Sequence, residues 1–497
     1  MSDSNLNKKI ISATKWSSFT EIAAKLVSPI TNMVLARILI PEAFGVVATV
    51  TMVTSFVQMF TDSGFQKYLV QHEFKSSKDK YESANVAFWS NFGIAIILWL
   101  MIIIFDEQLA TLVGNPGLGH VISIACIQLP ITAFSSIQMA LYRRDFDFKT
   151  LFIVRIISVF IPFVVTIPLA LTGLSYWSLI IGNLTMQLSN AVILTLKSKW
   201  KPSSFYSIRI FRQMFSFSVW SLIEAISIWL TSWIDTFIIG SVLDQYFLGL
   251  YRTSITMVNS IMALIKASVI PILFSTLSRL QNNEQQFNNM YFKFQRLISI
   301  VVFPLGVGVY LYSDLATEIM LGNQWSEASG VIGHWALTSA IMTVFGNLCS
   351  EVYRAKGKPK LSFLAQVLHL IVLIPACIIS SRYGFWALVY TRSWIRLQFV
   401  LVHFIVMKYA IGISIVKTLK NVSQTTIATL LMGFLGYFLQ QINTGVLWDL
   451  VSIVICIVFY FGVLLLFPKM RKELVSLAKI VLPARIVKFK KKQVHSN

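Results

Sequence analysis

Ten charged side chains interrupt stretches of sequence that are otherwise apolar: Lys25, Arg37, Arg155, Arg252, Lys266, Arg392 and Arg396 against Glu21, Glu224 and Asp235. A charge held at mid-depth in hydrocarbon costs ~2.5 to 3.5 kcal/mol. Seven lipid-facing cations would together cost roughly 20 kcal/mol, more than the ~5 to 15 kcal/mol net stability of an ordinary fold. Those at depth must therefore be paired or line a water-filled cavity.

Helical spacing suggests some partners. Ser221, Glu224, Thr231 and Asp235 fall on one helix face, and so do Arg252, Thr256, Asn259 and Lys266, because separations of 3, 7 and 11 residues return close to the same angle. A hairpin turning near Asp244 brings Asp235 level with Arg252 and Glu224 level with Lys266. Such pairs either hold the hairpin together or act on a ligand. Glu21 and Lys25, four apart, can neutralise each other. Arg392 and Arg396 share a face, and neither their own apolar run nor the preceding one contains an acid. They are expected to bind an anion, since the planar guanidinium fork suits phosphate or carboxylate; otherwise Glu351 or Asp62 reaches them. The expected anion-binding set is Arg392, Arg396, Lys25, Arg155, Arg252 and Lys266, with Glu21, Glu224 and Asp235 as candidates for ion pairing or for coupling to an H+ or Na+ gradient. His369 and His403 read as satisfied polar residues more readily than as proton relays.

The elements that position these groups are apolar runs of about 20 residues, the length that spans ~30 Å of hydrocarbon. Fourteen runs occur, near 14–39, 44–64, 84–105, 120–141, 150–171, 174–196, 214–239, 247–277, 294–312, 328–352, 361–380, 384–407, 421–440 and 446–467. Of 42 Lys and Arg residues, 34 fall in the termini or in alternate connections, which by the positive-inside rule predicts both termini on the cytoplasmic face. A mean hydropathy of +0.70 and a charged fraction of 13% exclude an ordinary soluble globule. The net charge of +21 sits in short loops beside apolar runs, which points to an anionic leaflet rather than to nucleic acid. The first run is too long for a cleaved signal and reads as a retained helix.

Cys126, Cys349, Cys377 and Cys456 all lie in apolar runs without ligand spacing and read as small hydrophobes. Asn183-Leu-Thr185 and Asn421-Val-Ser423 match a glycosylation pattern at positions that argue against its use, and Asp145-Phe-Asp147 imitates a sugar-nucleotide DxD without a nucleotide domain around it. No P-loop, GxSxG, HExxH or dinucleotide fingerprint occurs, so no catalytic residue, metal or cofactor is expected. Seven prolines, among them Pro162, Pro168 and Pro271, fall inside runs and permit bends.

Sliding the first half by about 204 to 211 positions aligns Leu39 to Gly45 with Leu243 to Gly249, Arg143 to Lys149 with Arg354 to Lys360, and Asn183 and Gln187 with Arg392 and Arg396. A repeat of six spans preserves orientation, so the copies are related by an axis along the membrane normal. The expected organisation is a six-helix bundle over 1–199, a second over 200–412, two further spans over 413–468 and a basic tail over 469–497, amphipathic at its start.

Several segments carry a resemblance: Leu35-Ala-Arg-Ile-Leu-Ile-Pro-Glu-Ala-Phe-Gly45, Thr61-Asp-Ser-Gly-Phe65, Arg143-Arg-Asp-Phe-Asp-Phe148, Leu321-Gly-Asn-Gln-Trp325 and Arg354-Ala-Lys-Gly-Lys-Pro359. In order along the chain, they resemble the polysaccharide-exporter branch of the multidrug/oligosaccharidyl-lipid/polysaccharide (MOP) superfamily, nearest to Wzx-type flippases of the colanic-acid kind. The resemblance implies an all-α polytopic protein of the bacterial cytoplasmic membrane, with MATE-like bundles around a cation-lined cavity. It also implies transfer of an undecaprenyl-diphosphate-linked oligosaccharide by alternating access, with a polysaccharide polymerase and chain-length machinery as further partners. A drug or cation antiporter of the same superfamily would favour acids at the cavity centre. A polymerase or glycosyltransferase would need a long outer loop or a soluble domain.

Overall fold

The computed structural model describes residues 27–62 and 64–481. Glu21 and Lys25 lie outside the described residues, as do the side chains of Asp62 and Glu224. Every regular element among the described residues is helical.

Among the described residues, thirteen helices are long and apolar enough to cross a membrane, one for each predicted run after the first. Of the first run, 27–38 is described and helical (α1). The others are α2 Pro41–Thr61, α3 Ser77–Ile104, α4 Gly119–Arg144, α5 Phe148–Leu171, α6 Ser175–Lys197, α7 Ile208–Val242, α8 Gln245–Arg279, α9 Glu284–Leu311, α10 Ala328–Ala355, α11 Lys360–Ser381, α12 Phe385–Ile411, α13 Ile415–Ile442 and α14 Val446–Leu466. An amphipathic helix, α15, follows at Pro468–Val481. The chain is a multi-pass membrane protein.

Several helices outrun their apolar stretches because polar caps set their ends. Ser76 and Asp147 accept hydrogen bonds from the backbone N–H of Asp79 and Thr150, at 3.1 Å each, and so start α3 and α5. Asp147 is thus a helix cap and Asp145 pairs with Lys80 at 3.3 Å, which gives the DxD-like triplet a structural role. Pro41 occupies the first position of α2, where its missing N–H costs nothing. Pro162 opens a π-helical turn, Pro162–Thr166, within α5. Both glycosylation-pattern asparagines are engaged internally: Asn183 donates to Gln128 Oε1 at 2.8 Å, and Asn421 donates to the Phe292 carbonyl at 2.9 Å.

The chain packs as two compact units. The first takes residues up to Ala267 together with Thr317–Val331 and Ser362–Phe399. Its core joins Val46, Val50 and Val53 of α2 to Ala95 and Ile102 of α3 and Ile122 and Leu129 of α4. Small residues let helices approach closely, as membrane packing requires: a Cβ on Gly182 would stand within 1.9 Å of Thr166 Oγ1. At the starts of α2 and α8 the approach is reciprocal. A Cβ on Gly45 would stand 2.0 Å from the Gln245 carbonyl oxygen, and one on Gly249 would stand 1.8 Å from that of Pro41.

Two segments that carry the resemblance meet beside this contact. Gln324 donates to the carbonyls of Ala36 and Leu39, at 2.5 and 3.0 Å, and Trp325 Nε1 donates to Ala36 at 2.7 Å. These bonds satisfy carbonyls at the end of α1. Arg37 in turn donates to the Ile319 carbonyl at 3.0 Å, near the end of the short helix Ser313–Met320, where the helix dipole favours a cation. Arg37 is accounted for by structure.

The second unit takes Ser268–Ala316, Ile332–Leu361 and Val400 onward. Ile300 of α9, Ala428 and Met432 of α13 and Cys456 and Tyr460 of α14 form its core. Arg296 joins α15 to this core: it pairs with Glu473 at 2.7 Å and donates to Asn421 Oδ1 at 2.6 Å. His403 is buried here, with Nδ1 3.2 Å from the Tyr353 hydroxyl, a satisfied polar residue. Glu351 pairs with its neighbour Arg354 at 2.5 Å.

Candidate functional site

The charges of α7, α8 and α12 converge within the first unit. Asp235 is 1% exposed and Arg392 6%, so neither charge is stabilised by solvent. Arg392 Nε donates to Asp235 Oδ2 at 2.6 Å, and its terminal nitrogen donates to the Thr231 carbonyl one turn earlier on α7, at 2.9 Å. The Tyr251 hydroxyl donates to the same Oδ2 at 2.8 Å, and Oδ1 accepts from the Thr236 N–H at 2.7 Å. Both carboxylate oxygens are therefore occupied.

This corrects two expectations. Arg392 was expected to lack an acidic partner among nearby spans, and its partner is Asp235 on α7. Asp235 was expected to pair with Arg252, which instead donates to the Ser232 carbonyl at 3.1 Å and lies 3.7 Å from the centre of the Trp233 ring. Adjacent residues on a helix point about 100° apart. With Tyr251 aimed at Asp235, Arg252 is turned onto the neighbouring backbone and indole.

Arg252 and Arg396 remain within electrostatic range of Asp235. Among the described residues, three guanidiniums act on one carboxylate here, a formal charge of +2. Arg396 stands where α12 restarts after a break at Ile395. Beside it, Gln398 Oε1 meets His369 Nδ1 at 2.8 Å, and the imidazole stacks on Phe399 with ring centres 4.4 Å apart. Gln366 hydrogen-bonds Thr231 Oγ1, so α7, α11 and α12 are tied together at this level.

The other expected members behave differently. Arg155 is exposed on α5 and Lys266 is half-buried on α8. The pairings expected of Lys266 with Glu224, and of Glu21 with Lys25, involve side chains outside the described residues. Thr231 was expected on the Asp235 face, whereas Tyr251, Gln366 and Gln398 were missed by sequence reasoning. Only Tyr251 left a signal, as a hydroxyl sixteen positions from an intramembrane acid.

Comparison with known proteins places the chain and its fold. Over 330 residues, 66% of each chain, the sequence is 25% identical to the succinoglycan biosynthesis transport protein ExoT of Rhizobium meliloti (strain 1021). Over 419 residues, 82% of this chain and 83% of the relative, it is 20% identical to the lipopolysaccharide biosynthesis protein WzxC of Escherichia coli (strain K12). The fold matches the lipid II flippase MurJ in an inward closed conformation, with a TM-score of 0.73 and 14% identity over 92% of this chain and 99% of that one. It also matches an inward-facing multidrug resistance MATE transporter of the MOP superfamily, with a TM-score of 0.62 and 11% identity over 80% of this chain and 98% of the other. The family described as polysaccharide biosynthesis protein matches residues 34–330. That match takes in the clasp between Ala36 and Trp325 as well as Asp235 and Arg252, and the chain belongs to this family of polytopic membrane proteins.

Proposed function

We propose that the chain is a flippase that moves an undecaprenyl-diphosphate-linked oligosaccharide across a bacterial cytoplasmic membrane for capsule, exopolysaccharide or O-antigen assembly. The observation that carries this reading is the excess of cation over acid around Asp235, set in spans that cross the membrane. An anionic headgroup entering such a site replaces lost hydration with guanidinium donors, whereas a polyprenyl tail is at no cost in lipid. Asp235, with both oxygens engaged, serves as the counter-ion that aims Arg392, and the positive charge that Arg396 and Arg252 add around it is what attracts the diphosphate. A cation antiporter would need an acid free to exchange its ion. The relatives whose names speak of polysaccharide biosynthesis and transport support the cargo class.

The reciprocal contact of Gly45 with Gln245 and of Gly249 with Pro41 supports the parallel repeat, because positions 41 and 45 align with 245 and 249 at a shift of 204. That contact favours bundles over 1–199 and 200–412; the alternation of Lys and Arg between connections favours both termini in the cytoplasm, and the cargo class implies a polymerase with its chain-length machinery as partners. Replacing Arg396 by Ala is expected to abolish surface polysaccharide while the protein still inserts, with lipid-linked repeat units accumulating on the cytoplasmic side. Normal export by that variant would overturn the assignment.

A further inference from the structure

One stretch of chain leaves the unit of its neighbours. Thr317–Val331 packs with the first unit, although the residues on either side of it, Ser268–Ala316 and Ile332–Leu361, belong to the second. It lies in the connection between α9 and α10, which carries Asp314, Glu318 and Glu327 and no Lys or Arg, a pattern that favours the outer face.

Local structure prepares this stretch for its contacts. Gly322 takes φ +96°, the left-handed region open to glycine, and the 3-10 turn Asn323–Trp325 follows at once. The turn sets Gln324 and Trp325 side by side, and together they hold the carbonyls of Ala36 and Leu39 at the end of α1. Leu321 and Trp325 are wholly buried, in a connection short enough to have stayed wet. The Trp325 ring meets Phe44 of α2 edge-on, with centres 5.3 Å apart. Further along, Gly330 lies so close to Trp386 of α12 that a Cβ would stand 2.8 Å from the indole.

The hydrogen bonds are of a kind that can be undone. Ala36 and Leu39 offer carbonyls at a helix end, and Arg37 donates in return to Ile319 near the end of Ser313–Met320. Such carbonyls have no intrahelical donor to lose, and water satisfies them once the contact parts. Asp235 and Arg392, by contrast, cannot separate without leaving a buried charge unpaired. The clasp is also placed above that pair. Gly249, where α8 meets Pro41, precedes Arg252 by about 4.5 Å of helix, and Trp386 precedes Arg392 by about 9 Å. The arginine cluster therefore lies one to two turns inward of the clasp.

We propose that Thr317–Val331 is the bolt of an outer gate. Docked on α1, α2 and α12, it closes the arginine cluster from outside, and its withdrawal opens the route by which a headgroup leaves. The helices stay intact and the buried ion pair stays formed while the bolt moves. This rests on the reading of the chain as a carrier that exposes its site to each face in turn.

The first test reads access and needs no cargo. A cysteine replaces Thr256, exposed on α8 one turn inward of Arg252, and its reaction with a membrane-impermeant maleimide is followed in right-side-out vesicles. Gln324→Leu with Trp325→Phe keeps bulk and removes the donors, and should speed that reaction at least fivefold. An unchanged rate, or no reaction in either protein, would overturn the gate. Where the double variant fails to insert, Arg37→Gln, at an exposed position, removes a bond from the same contact and is read in the same way.

A second test reads transport in liposomes, with the lipid-linked oligosaccharide extracted from cells lacking the protein as probe. Phe44→Cys with Trp325→Cys replaces two rings in contact, and a short disulfide-linked bridge between them should slow flipping at least tenfold, with recovery when reductant cleaves it. Flipping at the unbridged rate with the bridge in place would overturn the gate alone. A parent protein that flips no lipid-linked oligosaccharide would overturn the carrier reading, and the labelling rates at position 256 would still decide whether the bolt opens.

Discussion

Arg392 shows why a charge in a membrane span needs its partner identified before it is given a function. Its pairing with Asp235 joins residues 157 positions apart, and both side chains are buried. Removing one member of such a pair leaves an uncompensated charge and costs ~3 to 5 kcal/mol. Asp235→Asn is therefore expected to lower the unfolding temperature in detergent and the amount of inserted protein. Combining it with Arg392→Gln should recover most of that loss while export stays defective, because the cluster then lacks one guanidinium. A single Asp235→Asn variant as stable as its parent would show that the pair carries no structural weight. The sequence made Asp235 legible as an intramembrane acid and Arg392 legible as a cation that had to be satisfied. Their partnership was not legible, because it depends on which face of α7 meets α12, and Tyr251 beside Arg252 decides that outcome through a hydroxyl whose direction only the packed helices reveal.

At the level of elements, the starts of α2 and α8 meet backbone to backbone. Glycine at 45 and 249 is required there for lack of room, since any Cβ would enter the opposing carbonyl. Gly45→Ala or Gly249→Ala must push the two helix starts apart. We expect a cysteine placed at Glu42 to react faster with a membrane-impermeant maleimide in either alanine variant than in the parent. Equal rates would mean that the contact relaxes elsewhere. The repeat that aligns these segments was visible as a run of slight matches, Leu39 to Gly45 on Leu243 to Gly249. Their direct contact was invisible, because period and composition say which segments correspond and nothing about which ones touch. The Leu321 to Trp325 segment is similar: its indole and amide stand in a motif that the sequence displays, and their task of holding the end of α1 follows from contacts 288 and 289 positions apart.

Across the whole molecule, thirteen predicted spans after the first reappear as long apolar helices, because span length follows from bilayer thickness and side-chain hydropathy alone. Large apolar side chains such as Leu447 and Leu466, 81% and 78% exposed, lie on the surface of these membrane-crossing helices, where hydrocarbon accepts them at no cost. The grouping of Thr317–Val331 and Ser362–Phe399 with the first 267 residues was not legible. It rests on contacts such as Gln324 with Ala36, 288 positions apart, which no local pattern announces. Sidedness follows from charge, and it can be tested with little interference: all four native cysteines are at most 5% exposed, so an impermeant thiol reagent should meet only cysteines that are introduced. Cysteines at Glu107 and Asp244 should be labelled in intact cells or right-side-out vesicles. Those at Lys78 and Lys356 should be labelled only after permeabilisation, because each lies in a connection rich in Lys and Arg that the anionic inner leaflet retains. Labelling of Lys356→Cys from outside would invert the protein and remove the direction of transport proposed for it.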